Sequence, residues 1–191
     1  MTGEATEELV ASLLRQQGYV VATDVKISSQ GKATYGGQKK DIPVDIVAIK
    51  PDKKEIIIGE VKSWWGSTGL TPKHIVGDWP ENPSKFVNSF KILNNKDGLR
   101  SKFEKLVLDQ YGDYDFTFVL YAGRATKEEE IQENLSQIYL FGKPVELVMI
   151  RELLQNFIDT IQDTESSGST YNNEIAIATL QALNEYNMFK N

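Results

Sequence analysis

The residues best suited to catalysis are two acids and a lysine. The acids lie fifteen residues apart, and the lysine follows the second acid by two positions. Asp45 ends the run Ile42-Pro43-Val44-Asp45, and Glu60-Val61-Lys62 follows Ile56-Ile57-Ile58-Gly59. A pair of carboxylates suits a hard divalent ion such as Mg²⁺, which prefers oxygen ligands. Such an ion polarises a phosphate and lowers the pKa of a bound water. The pattern therefore favours hydrolysis of a phosphodiester bond by a metal-activated water.

A β-hairpin is expected to position these residues. Residues 42–49 and 55–62 read as strands joined by a turn at 51–54, and so short a connection indicates antiparallel pairing. Because side chains at i and i+2 share a face of a strand, Glu60 and Lys62 should point the same way, with Val61 on the other face. We expect the carboxylates of Asp45 and Glu60 and the carbonyl of Val61 to bind the metal. Lys62 would orient the attacking water or offset developing charge.

A third acid lies on the first predicted helix. Apolar residues recur at helical spacing within 3–17, and Gly18 stands where a helix stop belongs. Glu7 on this helix could reach the site and steer a water or the catalytic lysine. Glu4 and Glu8 are alternatives to it, although acids in a first helical turn commonly only favour the helix dipole.

Strands and helices alternate along the remaining chain. One or two strands are expected within 19–27, followed by a polar loop at 28–40 and a glycine- and proline-rich loop at 63–83. Further elements are helices at 85–93, 99–111 and 127–135, strands at 115–121 and 145–150, and a helix from that last strand to about 157. The order predicts an α/β fold with a mixed central β-sheet flanked by helices.

The chain is expected to form one main domain with a tethered helix. Residues 1–162 would make the α/β domain, and 63–111 would be a loop and helical insertion within it. Residues 163–170 have the composition of a linker. A C-terminal helix is expected within 171–191, at 172–186, with apolar residues available for docking.

The composition excludes several classes of site. The 191 residues contain no cysteine and one histidine, so disulfides, thiolate metal sites and histidine-rich sites are excluded. No apolar run approaches the roughly 20 residues that span a bilayer. The polar, acidic N-terminus does not read as a signal peptide, and we expect a cytoplasmic protein with no membrane partner.

The net charge of −6 hides an asymmetry between the two halves. Residues 1–105 carry 16 basic and 13 acidic residues, a net +3, whereas residues 106–191 carry 5 and 14, a net −9. The basic half holds the motif, which suits a nucleic-acid partner, although two ordinary solvated surfaces would give the same count.

Four residues near the motif are candidates for nucleic-acid contact. Lys39 and Lys40 precede Asp45 and could bind phosphate, although most lysines in such loops are only solvated. Trp64 and Trp65 follow the motif and could stack on bases, although one of them could equally pack in the core.

The motif resembles that of the PD-(D/E)xK, or restriction-endonuclease-like, nuclease superfamily. The opening helix, from Gly3 to Gly18-Tyr19, resembles that of Holliday-junction resolvases and Mrr-type restriction enzymes. The resemblance covers about residues 3–63 and leaves the segment 63–111 as a departure from a minimal resolvase. It implies a restriction-endonuclease-like core.

The resemblance also implies site residues and an activity. Asp45 and Glu60 would be metal ligands, Lys62 the catalytic lysine and Glu7 the helix acid. The implied activity is that of a Mg²⁺-dependent endonuclease acting on DNA, with Mn²⁺ able to substitute, and related nucleases often work as homodimers. A non-catalytic nucleic-acid-binding module and a subunit of a restriction or repair complex remain alternatives.

Overall fold

The computed structural model describes residues 3–28, 41–63, 68–78 and 90–166. All four candidate nucleic-acid contacts, Lys39, Lys40, Trp64 and Trp65, lie outside these ranges, as does the expected C-terminal helix. Residues 29–40 of the polar loop and residues 167–170 of the expected linker also fall outside them.

A five-stranded mixed sheet organises the described chain. The elements are α1 (Gly3–Gln16), β1 (Val20–Ile27), β2 (Ile42–Lys50), β3 (Glu55–Lys62), α2 (Leu99–Tyr111), β4 (Asp115–Ala122), α3 (Glu128–Ser136), β5 (Tyr139–Leu140), β6 (Lys143–Pro144), β7 (Glu146–Met149) and α4 (Ile150–Ser166). The sheet order is β1-β2-β3-β4-β7, while β5 and β6 form a separate two-stranded ribbon. β1, β2 and β3 pair antiparallel, whereas β3, β4 and β7 pair parallel.

This topology confirms the expected fold class. The parallel pairs β3–β4 and β4–β7 need crossover connections, and α2 and α3 occur in those two connections. The antiparallel β2–β3 pair has the short turn that the sequence predicts, with Lys50 opposite Glu55. The mixed sheet therefore combines a meander at one edge with helical crossovers at the other.

Two apolar clusters cover the two faces of the sheet. The α1/α4 cluster contains buried residues of α1 and α4 packed on the sheet, among them Val10, Leu14, Ile150 and Leu154. The α2/α3 cluster contains Phe103, Val107, Ile131 and Leu135 from the other two long helices. The segment 63–111 contributes α2 to this second cluster, so its described helix is part of the main core.

Gly59 allows the sheet to pack tightly just before the motif. A Cβ placed there would lie 2.9 Å from Cε2 of Tyr121 and 3.2 Å from Cβ of Ile46. Any larger residue would have to move the aromatic ring or the neighbouring strand. The glycine therefore lets β3 lie close against the buried ring of Tyr121.

Three boundary predictions are corrected by the structure. The predicted helix at 85–93 is wrong over its described residues 90–93, because residues 91–93 form turns. The strand at 145–150 is shorter, since β7 spans Glu146–Met149 and helix α4 begins at Ile150. That helix continues to Ser166, so the first residues of the expected linker at 163–170 are helical. Helix α4 extends beyond Phe157, the last apolar residue on which the prediction relied.

The first strand is one continuous element and not two. Val20–Ile27 pairs with β2 along its length, except at Asp24, whose φ of 51° is left-handed. Among the helices in the described ranges, none is both long and apolar enough to cross a bilayer.

Candidate active site

The motif lies where the β2–β3 hairpin opens. The two strands pair from Lys50–Glu55 to Ile46–Gly59, and the ladder stops there, although β2 begins at Ile42 and β3 continues to Lys62. Asp45 and Glu60 are the first residues beyond the last pair. The sequence places acids at this point, and the structure adds that the backbones have separated there.

The carboxylate of Asp45 takes over part of the missing ladder. Its Oδ2 accepts a hydrogen bond of 2.6 Å from the backbone N–H of Val61. A carboxylate acceptor makes such a bond short and strong. Because the N–H and C=O of one strand residue point to the same side, the carbonyl of Val61 also faces the opening. The carbonyl of Lys62 faces away from β2, toward β4, and accepts a 2.9 Å hydrogen bond from the N–H of Gly123 at the end of that strand.

Glu60 and Lys62 form an ion pair on one face of β3. Lys62 Nζ lies 2.6 Å from Glu60 Oε1, and the two side chains are only 20% and 18% exposed. Val61 is buried in the α1/α4 cluster on the other face, as the strand periodicity predicts. The ammonium also lies 5.5 Å from the ring centroid of Phe90, within the range of a cation–π contact.

Helix α1 brings Glu7 to the same charged group. Partial burial raises the pKa of Glu7, and the charges of Asp45 and Asp24 raise it further, while Lys62 acts in the opposite direction. These mutual effects mean that the acids of α1, β1 and β2 share one neighbourhood. The structure thus brings together Glu7, Asp45, Glu60 and Lys62, the four residues that the sequence singles out.

Negative charge predominates in this cluster. Burial raises the pKa of Glu60, and Asp45 adds to the rise, against the opposing effect of Lys62. Burial alone would lower the pKa of Lys62, but Glu60, Asp45 and Glu7 outweigh it and raise that pKa. When ionised, three carboxylates face one ammonium. A cation with two charges would balance the excess.

The donor set is small for a metal site made of side chains alone. Within the ranges that the structure describes, no three acidic or histidine side chains converge on a point where one ion could bind them all. Asp45 and Glu60 with the Val61 carbonyl offer three oxygen donors. Mg²⁺ keeps several waters and takes only one or two carboxylates in many sites, so this set fits Mg²⁺ better than Ca²⁺.

Neither alternative helix acid matches the position of Glu7. Glu8 is exposed and forms a 2.5 Å ion pair with Arg15 Nη1. Glu4 is exposed and affects the cluster through its charge on Glu7, where it is the weakest of the contributors.

The single histidine belongs to a folded loop. His74 is buried, and its Nδ1 accepts the N–H of Thr71 at 2.9 Å. Burial lowers the pKa of the ring. The side chain of Asn94 binds the same loop, donating to the carbonyl of His74 and accepting from the N–H of Val76. This network fixes the chain after the motif and assigns His74 a structural place.

Two site residues escape sequence reasoning. Phe90 stands in the segment 85–93, which the sequence predicts to be a helix, and nothing in the sequence connects it to Lys62. Asp24 carries a weak signal, because aspartate is uncommon inside a strand. Its position opposite Asp45 follows only from the observed β1–β2 register.

Comparison with known proteins adds one similar structure. The chain is similar to a crystal structure of an XisH family protein from Nostoc punctiforme PCC 73102, with a TM-score of 0.37 and 14% sequence identity. The similarity covers 78% of this chain and 93% of that one. No family model matches this chain, and no curated protein was found to match it. The functional proposal therefore rests on the site.

Proposed function

We propose that this protein is a metal-dependent endonuclease that hydrolyses phosphodiester bonds of DNA. The observation that carries the proposal is the convergence of Glu7, Asp45, Glu60 and Lys62 where the β2–β3 ladder opens. These residue types are the ones that the PD-(D/E)xK resemblance assigns to catalysis.

Mg²⁺ is the proposed cofactor, with Mn²⁺ as a substitute. Asp45, Glu60 and the Val61 carbonyl would hold it, because all three border the opening and supply hard oxygen donors. When bound, Mg²⁺ supplies Lewis-acid polarisation of the phosphate and acidifies a water. The excess negative charge of the cluster supports this choice. Burial is the main cause of the raised pKa of Glu60, and a divalent cation would relieve the repulsion from Asp45 that adds to it.

The remaining residues have proposed roles in water attack on phosphorus. Lys62 stays protonated at neutral pH, so its ammonium can orient the attacking water and offset charge on the phosphate oxygens. Glu7 has a raised pKa, which suits a carboxylate that accepts a proton as the water oxygen adds to phosphorus. The bond to the leaving sugar oxygen breaks in the same displacement.

Lys62 would have to change partner for this role. In the structure its ammonium is paired with Glu60, one of the two proposed metal ligands. Neutralising Glu60 with a cation would weaken that ion pair and free the ammonium for the water and the phosphate. The same charge logic therefore links cofactor binding to activation of the lysine.

DNA is the proposed substrate on two grounds. The first 105 residues, which contain the motif, carry a net charge of +3 despite the overall charge of −6. The PD-(D/E)xK resemblance supplies the preference for DNA. Lys39, Lys40, Trp64 and Trp65 remain proposed contacts to phosphates and bases.

The test is cleavage of matched DNA substrates by purified full-length protein. Linear duplex, single-stranded, branched and supercoiled plasmid DNA would be incubated with Mg²⁺, Mn²⁺ or EDTA. Asp45→Asn and Lys62→Ala are the inactive controls, and Lys143→Ala, in the ion pair with Asp115 on the surface, is the matched active control. We expect metal-dependent cutting by wild type and Lys143→Ala alone.

The outcomes separate the proposal from its alternatives. DNA binding by the folded wild type without cutting under any metal condition would contradict the proposal and favour a non-catalytic module or a subunit of a larger complex. Direct conversion of supercoiled plasmid to linear product would support a homodimer that cuts both strands. Equal activity in wild type and Lys62→Ala would remove the proposed mechanism.

A further inference from the structure

Asp24 stands directly opposite Asp45 at a break in the β1–β2 ladder. Thr23 pairs with Ile46 and Val25 pairs with Val44, so the register is continuous, but the pair between them is missing. Asp24 has a left-handed φ of 51°. Such a conformation costs energy for most residues, while asparagine, aspartate and glycine tolerate it best.

Both strands change the side of the sheet on which they pack at this break. In β2, Ile46 and Ala48 pack in the α1/α4 cluster, whereas Ile42 and Val44, which have the same strand parity, pack in the α2/α3 cluster. In β1, Val21 packs with the α1/α4 cluster. Val25 and Ile27 pack with the α2/α3 cluster. The paired strands β1 and β2 therefore exchange the faces on which their side chains pack, and both do so at Asp24 and Asp45.

This change of side coincides with the opening of the hairpin. The β2–β3 ladder ends at Ile46, immediately after the break, and the carboxylate of Asp45 meets the N–H of Val61 instead. If β2 continued straight, its backbone would pair with β3 and fill the opening. The bend in the paired strands β1 and β2 thus separates the backbones of β2 and β3 at the motif.

We propose that Asp24 is a positioning residue whose left-handed backbone sets the bend that aims Asp45 at Val61. The register and the packing of the two strands support this positioning role. A consequence for cleavage rests in addition on the proposed function of the same site. The backbone conformation of residue 24, and not its charge, sets the bend.

The test separates conformation from charge with two substitutions. Asp24→Asn removes the charge and keeps tolerance of the left-handed region, whereas Asp24→Ala removes both. Lys54→Ala is the control, because Lys54 has a φ of 54° in the turn at the other end of the hairpin. The measurement is amide hydrogen exchange of Val61 by NMR on the full chain without metal, relative to that of Ile57.

We expect Asp24→Ala to speed the exchange of Val61 relative to Ile57 at least about fivefold, the shift that a left-handed alanine implies. Asp24→Asn and Lys54→Ala should leave the ratio unchanged, even where Lys54→Ala lowers global stability. An unchanged ratio in Asp24→Ala, or an equal rise in Asp24→Asn, would overturn the proposal. If the variants show this exchange pattern but the wild-type protein cuts no DNA, the positioning role is supported and only the nuclease function is contradicted.

Discussion

The two ends of the β2–β3 hairpin use the same strands for different purposes. At the turn end, Ile46–Lys50 and Glu55–Gly59 form a continuous ladder whose apolar side chains enter both clusters. At the open end the ladder is absent and charged side chains border the separation. Strand pairing and apolar burial stabilise the first end, so the second can hold groups that repel one another.

Two lysines make this contrast concrete. At the turn end, Lys50 Nζ lies 5.1 Å from the ring centroid of Tyr19 and donates a 2.9 Å hydrogen bond to the carbonyl of Gln17. At the open end, Lys62 Nζ lies over Phe90 but is paired with Glu60 inside an acidic cluster. Both ammonium groups contact an aromatic ring, and only the second has neighbours suited to catalysis.

The largest expected effect separates the two lysines by activity. Lys62→Ala should reduce the rate of DNA cleavage by about 100-fold or more, because it removes a charge placed for the transition state. Lys50→Ala should cleave at the wild-type rate. Circular dichroism should show both variants folded, since Glu60 can take up a proton when its partner is removed. Comparable losses of activity in both variants would abolish the functional contrast between the ends.

Mg²⁺ should stabilise the open end selectively. At a concentration 100 times the dissociation constant, binding to the native state adds about 2.7 kcal/mol. For a chain of this size that corresponds to a rise in Tm of about 5–10 °C. The rise should vanish in Asp45→Asn and persist in Asp115→Asn, which changes an acid in the surface ion pair with Lys143. A rise that survives in Asp45→Asn would locate the cation elsewhere.

Gly59→Ala should test the packing that precedes the opening. The added Cβ would approach the ring of Tyr121 and Cβ of Ile46, at a cost of about 1–3 kcal/mol in the free energy of unfolding. Tyr121→Leu removes the nearest atoms, so Gly59→Ala should cost less in that background. Urea denaturation of the four proteins in this cycle gives the coupling. Strictly additive costs would mean that the ring does not limit the space.

The smallest effect concerns the repulsion around Glu7. The pKa of Glu7 is raised above its ordinary value of 4.5, first by burial and then by Asp45. A raised acid pKa stabilises the fold below the unfolded value, and that contribution is lost as pH rises through the folded value. Glu7→Gln should therefore stabilise the metal-free protein at neutral pH, by less than about 1 kcal/mol because the group is only partly buried and solvent screens its charge.

Melting in EDTA as a function of pH measures this effect. The advantage of Glu7→Gln should disappear below pH 4.5, where the wild-type acid is protonated. Glu8→Gln, on the exposed side of the same helix, is the control and should show no comparable gain. A loss of stability in Glu7→Gln at neutral pH would mean that Glu7 forms a favourable contact in place of repulsion.

The sequence predicts most of the frame and the identities of the four charged residues. Runs such as Ile56-Ile57-Ile58 reveal the strands because branched apolar residues are favoured there. The i, i+2 rule predicts that Glu60 and Lys62 share a face, and their 2.6 Å ion pair agrees with it. Local pattern is sufficient for these features because they depend on neighbours in the chain.

The opening itself could not be predicted from local pattern. It depends on the left-handed conformation of Asp24 and on the side of the sheet against which β1 and β2 pack. Phe90 reaches Lys62 only through tertiary packing, because the two residues are far apart in the chain. The helix predicted at 85–93 is wrong over 91–93, where the chain forms turns that precede Asn94, whose side chain binds the loop at His74 and Val76.

The most direct test of the central claim is a Mn²⁺ titration followed by electron paramagnetic resonance. Wild type should bind Mn²⁺ saturably, and Mg²⁺ should displace it. Asp45→Asn and Glu60→Gln should abolish the bound signal, while Asp115→Asn should retain it. Undiminished Mn²⁺ binding in both Asp45→Asn and Glu60→Gln would contradict the claim that the open end of the hairpin is a divalent-cation site.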